Sequence, residues 1–210
     1  MTLGLMLKDV KISLGGRTLL SLSKTVAPGD VLTVMGDSGA GKSTLLEYVG
    51  GFLRPPFEAT GRLILNNRDI TTLSPQDRHV GFMFQSPLLF PHMSVRDNLL
   101  FGLPNGGMTK HERATAVEAS LCDIGMDDFA DRDPATLSGG QQTRIALMRL
   151  LLAEPEALLL DEPFSSLDQS RRADLRDLVF RLARERGLPV LLVTHDKEDA
   201  DAAGGDLVEL

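Results

Sequence analysis

Short apolar runs bounded by glycine, proline or charge set the rhythm of this chain. Val31–Met35 reads Val-Leu-Thr-Val-Met, with Pro28-Gly29 before it and Gly36 after it. So continuous a run, with β-branched residues in it, predicts a strand buried on both faces. Residues 80–84, 157–160 and Val190–Val193 predict three more. Residues 62–65 alternate polar and apolar as a half-exposed strand does, and Asn66-Asn67 supplies a turn after them. Helical spacing follows in 43–49, directly after a glycine-rich loop, and again in 142–153 and 169–186. Between residues 87 and 153 the character changes: prolines thin out after Pro104 and long helical stretches appear, as in 110–124. Strands alternating with helices predict an α/β core with a mostly parallel sheet covered on both faces, interrupted by a helical lobe.

Composition narrows the classes. With 210 residues, 42% apolar and 24% charged, the chain is long enough for one compact domain with a sizeable core, which argues against global disorder. The longest apolar runs, 150–153 and 157–160, fall far short of the roughly 20 residues a membrane span needs. Residues 1–9 lack the cationic and long apolar segments of a secretory signal. A single cysteine, Cys122, excludes a disulfide framework and a multi-cysteine zinc site, and fits a reducing compartment. The balance of 29 acidic against 22 basic residues, a net charge of −7, argues against a broad nucleic-acid-binding face.

The strongest local signal is Gly36-Asp37-Ser38-Gly39-Ala40-Gly41-Lys42-Ser43, set between a predicted strand and a predicted helix. Glycines let the backbone wrap closely with its N–H groups pointing inward, and the helix that follows adds its positive dipole end. A polyphosphate fits that cradle. Lys42 would reach its outer phosphates, the Ser43 hydroxyl would ligate Mg²⁺, and Thr44 would donate to an inner phosphate. A purely structural glycine turn would match this pattern by chance in roughly one chain in a hundred of this length.

Residues 158–160 run directly into Asp161-Glu162-Pro163. An apolar strand ending in two carboxylates places Asp161 at the carboxyl edge of the sheet, where ligands of α/β folds collect. There Asp161 would hold Mg²⁺, and Glu162 would act as general base toward the attacking water. An acidic loop capping the next helix reads the same in isolation.

Leu137-Ser138-Gly139-Gly140-Gln141 precedes the helical stretch 142–153. Ser138 reads as a helix N-cap, with two glycines exposing backbone N–H groups. That is a second anion-binding terminus in a chain whose nucleotide offers one polyphosphate.

With that segment the sequence closely resembles the ATP-binding-cassette (ABC) transporter ATPases, whose signature matches residues 137–141 letter for letter. The resemblance spans essentially the whole chain, with the motifs in family order. It implies a P-loop NTPase (RecA-like) core with an N-terminal antiparallel β subdomain at 1–86 and 155–210, and a helical lobe at 87–154. It implies that Gln85 is the Q-loop glutamine, touching Mg²⁺ and the attacking water. Asp168, in Ser166-Leu167-Asp168, becomes the D-loop aspartate, and His195 the switch histidine that reaches the γ-phosphate. Alone, each has a duller reading: a surface glutamine, a helix N-cap, a strand-end histidine.

The family pattern further implies a head-to-tail homodimer. ATP then lies between the P-loop of one copy and Ser138, Gly139, Gly140 and Gln141 of the other, which accounts for the second anion terminus. Residues 88–100 resemble the importer segment after the Q-loop, with Phe84, Leu88, Leu89 and Phe90 as an apolar floor for a helix of a membrane permease. The expected setting is cytoplasmic and peripheral, on the inner face of the cell membrane, with a solute-binding protein as indirect partner and no nucleic acid. Among importers the chain most resembles the thiamine, polyamine, iron and sulfate branch. It ends at 206–210, soon after His195, so no C-terminal regulatory domain is expected.

One position departs from the pattern. The family usually carries an adenine-stacking aromatic 25–30 residues before the P-loop lysine, and Leu14 stands there instead. Weaker adenine affinity and looser base selectivity are the expectation, since ring stacking is worth roughly 0.5–1.5 kcal/mol beyond burial, and Tyr48, in the helix after the P-loop, is expected to pack rather than stack. Two competing readings are a non-transport ABC module of the DNA-repair or translation type and a P-loop kinase. The first usually carries coiled-coil insertions or paired cassettes, and the second has no use for residues 137–141.

Overall fold

The computed structural model describes residues 3–37, 39–165, 167 and 169–210. In chain order the elements are β1 (Leu5–Leu14), β2 (Arg17–Val26), β3 (Val31–Met35), α1 (Lys42–Gly50), β4 (Phe57–Leu65), β5 (Arg68–Asp69) and β6 (Val80–Met83). Then come α2 (Val95–Gly102), α3 (Lys110–Asp123), α4 (Gly139–Leu152), β7 (Ala157–Asp161), α5 (Gln169–Glu185), β8 (Val190–Val193), α6 (Lys197–Ala203) and β9 (Asp206–Glu209).

Two sheets form. One runs β2-β1-β4-β5 with antiparallel neighbours; the other runs β6-β7-β8-β3-β9, parallel where β7, β8, β3 and β9 pair. The apolar runs explain the second sheet. All four residues of β8 are buried, as are the first four of both β3 and β7. Such strands cannot face water on either side. Inward residues of the antiparallel sheet (Leu5, Leu7, Ile12, Leu63, Leu65) meet Leu45, Leu46 and Val49 of α1 in one hydrophobic core.

By its contacts the chain divides into two compact units. The first takes the residues up to Phe82, Glu156–Glu162 and Phe180–Leu210; the second takes the described residues of Met83–Pro155 and Pro163–Val179. Within the second, α2 packs on α4. Asn98, fully buried, ties the chain before α2 by accepting from the Phe90 N–H and donating to the carbonyls of Phe90, Met93 and Ser94. Arg149 of α4 reaches Asn98 and the Leu88 carbonyl.

Two elements begin earlier than the sequence reading has them. β4 begins at Phe57, five residues before the expected 62, because its first half pairs with the end of β1. α4 begins at Gly139 rather than 142: the two glycines wind into its first turn under the Ser138 cap.

Candidate functional site

Building from β3, the chain leaves the sheet at Met35 and turns through residues 36–41 into α1. Gly39 and Gly41 have φ of +86° and +93°, a region that only glycine enters without strain. Gly41 is also the N-cap of α1, and no side chain caps that helix. The orphan N–H groups of its first turn, together with the helix dipole, make a ready anion site. The Ala40 N–H donates to the Asp37 carbonyl, closing the loop. Buried Lys42 donates from Nζ to the Gly36 and Asp37 carbonyls at 2.6 and 2.8 Å, holding its charge inside the loop.

Asp161 ends β7, and the Ser43 hydroxyl donates to its Oδ1 at 3.0 Å. Burial foremost, then the neighbouring charge of Glu162, pushes the Asp161 carboxyl above its ordinary value; the Ser43 hydrogen bond and Lys42 pull the other way. Glu162 has φ of +44°, and its N–H donates to the Val193 carbonyl at 2.9 Å. Its Oε1 lies 3.0 Å from Nδ1 of His195. The turn that carries His195 is itself tied: the buried Thr194 hydroxyl donates to buried Asp199 and accepts from the Asp196 N–H.

These groups share a cavity of about 1030 Å³. Gly36, Asp37, Gly39, Gly41, Lys42, Ser43 and Thr44 line it on one side, with Glu162 and His195 nearby and Leu14, Leu19 and Phe57 as an apolar wall. A polyphosphate group, an attacking water and a flat apolar moiety are what such a lining accommodates. Tyr48 is packed away: it is buried, and its hydroxyl donates to the Gly61 carbonyl.

Other sequence-predicted residues lie in the second unit. Gln85 donates from Nε2 to the Ser165 hydroxyl at 3.1 Å. Ser138 caps α4 through a reciprocal box: its hydroxyl accepts from the Gln141 N–H at 3.4 Å, and Gln141 Oε1 accepts from the Ser138 N–H at 2.9 Å. Ser138, Gly140 and Gln141 line a smaller cavity of about 240 Å³ with Arg144, Arg171 and Leu175. The two arginines escaped the sequence reading, although Arg144 stands one turn after Gly140 on the same helix face. Ser38, Ser166 and Asp168 lie outside the described residues.

A glycine cradle opening an uncapped helix, with a carboxylate at the end of the adjoining strand, defines a P-loop nucleoside triphosphatase. Comparison with known proteins carries this further. The sequence profile of the family described as "ABC transporter" matches residues 19–165, and the chain belongs to that family. It is 45% identical over 94% of its length to the uncharacterized ABC transporter ATP-binding protein YnjD of Escherichia coli, covering 91% of that protein. It is 40% identical to the Fe(3+) ions import ATP-binding protein FbpC 1 of Rhizobium meliloti, over 89% of this chain and 52% of that one. The figures for the putative 2-aminoethylphosphonate import ATP-binding protein PhnT of Salmonella paratyphi A are 41%, 95% and 54%. The chain thus spans about half the length of these import ATPases. Among solved structures, cbiO1 from Clostridium perfringens, part of the ABC transporter complex cbiONQ, matches all of this chain and 85% of its own with a TM-score of 0.87 at 26% identity. The chain has the ABC ATPase fold; it binds and hydrolyses ATP. Among the described residues, no helix is long and apolar enough to cross a membrane.

Proposed function

We propose that this chain is the ATP-driven motor of an importer, working as a head-to-tail homodimer beneath a separate permease on the inner face of the cell membrane. The observation that carries the reading is Glu162, poised over the P-loop cavity with His195 at 3.0 Å. Lys42 exchanges its two loop carbonyls for the outer phosphates of ATP. Glu162 accepts the proton of the attacking water, and His195 orients Glu162 and contacts the γ-phosphate. Ser43 and Asp161 are hard oxygen donors already within hydrogen-bond distance of each other, which suits Mg²⁺, an ion that takes few protein ligands beside phosphates and water. Bound there, Mg²⁺ supplies charge neutralisation on the phosphates. Gln85 is the further oxygen donor that would be assigned to Mg²⁺.

Ser138, Gly139, Gly140 and Gln141 of the second copy face the γ-phosphate of the first, and Asp168 communicates across the dimer. Arg144 and Arg171 make the cavity beside Ser138 attractive to an anion. Exposed Phe84, Leu88 and Phe101 in the second unit support docking of a permease helix. The named relatives are transport ATPases, which favours this reading over a DNA-repair or translation module. A solute-binding protein outside the membrane would complete the system, and the relatives' cargoes, ferric iron and 2-aminoethylphosphonate, suggest a small solute.

The test is Glu162→Gln. It is expected to bind ATP, to accumulate as a dimer with Mg²⁺ present, and to lose about 10²–10⁴-fold in phosphate release. Wild-type turnover would remove Glu162 from the mechanism; a monomer at saturating Mg·ATP would remove the shared-site dimer.

A further inference from the structure

The apolar wall of the P-loop cavity holds an aromatic ring that no position before the P-loop supplies. Leu14, at the family's usual stacking position, ends β1 and pairs in register with Phe57, the first residue of β4. Residues directly opposed in an antiparallel pair share a face, with Cβ atoms about 4.5–5.5 Å apart. The Phe57 ring therefore stands beside Leu14, and both line the cavity. Leu19 of β2 joins them and links the wall to the phosphate end: a methyl placed on Gly41 would stand 3.3 Å from the Leu19 Cβ.

Burial along β4 separates a ring that packs from a ring that waits for a ligand. Alternate residues 57, 59, 61, 63 and 65 share one face. Leu63 and Leu65 are fully buried and Ala59 packs against the core, whereas Phe57, at the strand's end, is half-buried and opens onto the cavity. A flat apolar ring beside a polyphosphate cradle has the chemistry to stack on a nucleobase.

We propose that Phe57 is the base-stacking residue of this ATPase, with Leu14 and Leu19 as its apolar flank, so that strand β4 provides what the end of β1 lacks. The proposal rests on the nucleotide-site reading above and adds its base contact. Stacking reads a π-face and not a hydrogen-bonding edge, so adenine and guanine are discriminated weakly here.

The chain has no tryptophan, so Phe57→Trp introduces a single indole. Mg·ATP is expected to quench its emission, and inorganic tripolyphosphate with Mg²⁺ to leave it unchanged. Phe57→Leu, which keeps an apolar side chain on β4, is expected to weaken Mg·ATP binding about 2–12-fold, with tripolyphosphate affinity unaltered. An indole unquenched at Mg·ATP saturation, or wild-type Mg·ATP affinity in Phe57→Leu, overturns the proposal. Lys42→Ala supplies the separate control: loss of both ligands supports the underlying nucleotide site, and unchanged binding of both overturns that reading instead.

Discussion

Helices α1 and α4 both begin in glycine-rich loops, yet they treat their first turns in opposite ways. The N-cap of α1 is Gly41, without any side-chain partner, and the neighbouring Lys42 ammonium is held by two loop carbonyls. The start of α4 is closed by the Ser138–Gln141 box, which satisfies a donor at each end. One terminus has no side-chain cap at all; the other is capped at Ser138 and Gln141, with Gly140 beside Arg144 and Arg171. The difference fits a division of labour. Under the proposed dimer, the terminus that holds the polyphosphate leaves its donors free, whereas the one that waits for a second copy must be stable without it. The far ends differ as well. α1 ends on Gly51 with the Arg78 guanidinium donating to the Tyr48 and Val49 carbonyls, while Arg149 in the last turn of α4 reaches back to Leu88.

The largest effect expected from this contrast comes from Ser138→Asp. Aspartate caps a helix as well as serine does, so thermal unfolding is expected to stay within about 0.5 kcal/mol of wild type. In the proposed dimer, however, a carboxylate here would face the partner's γ-phosphate, and it is expected to lower turnover about 10²–10³-fold, as loss of a well-placed donor does. Ser138→Ala is expected to do the reverse in kind, costing about 1 kcal/mol of stability from the lost cap. Full phosphate release in Ser138→Asp would leave α4 with a cap and no ligand, and the contrast would collapse.

Next comes the closed end of α1. Arg78 is 5% exposed and donates to four carbonyls, those of Leu73 and Thr71 besides the two on α1. Burial lowers the pKa of its guanidinium below the ordinary value. Arg78→Met removes the charged donor and strands those oxygens, at an expected cost of about 2–4 kcal/mol in chemical unfolding. Amides of α1 should exchange faster than those of α4 in this variant. Equal protection in both helices would mean that α1 is held by the core packing of its Leu45, Leu46 and Val49 alone.

Legibility followed the same physics. β8 was readable residue for residue because a strand buried on both faces is an unbroken apolar run, and the P-loop because its glycines serve backbone geometry. β1 hid its period: Asp9, with φ of +50°, sits at a bulge between Leu7 and Val10 and shifts the alternation. β9 was invisible since only Val208 among its residues is even partly buried. Phe57, following two prolines, reads as loop until its pairing with Leu14 is seen. At the candidate site, Lys42, Ser43, Glu162 and His195 were all named from motifs. Arg144 and Arg171 were not, because their meeting beside Ser138 is a tertiary fact.

The smallest expected effect separates two capping boxes of identical form. α3 opens with Thr109 and Glu112 joined as Ser138 and Gln141 are joined in α4. Hydrogen bonds from the Thr109 backbone and hydroxyl hold the Glu112 carboxyl below its ordinary 4.5. A carboxyl depressed in the folded state adds stability in full above its unfolded value and loses it as pH falls through the folded one. The α3 box should therefore loosen on acidification from about pH 6 to about pH 3, whereas the α4 box, whose Gln141 does not titrate, should not. Glu112→Gln is expected to flatten that response, read as hydrogen exchange of the first α3 amides against pH. If the α4 amides loosened in parallel in the wild type, acid would be acting on the whole second unit and not on one carboxylate. If only α3 responds, the glutamine at position 141 keeps the α4 terminus capped without adding a negative charge where the proposed dimer brings a phosphate.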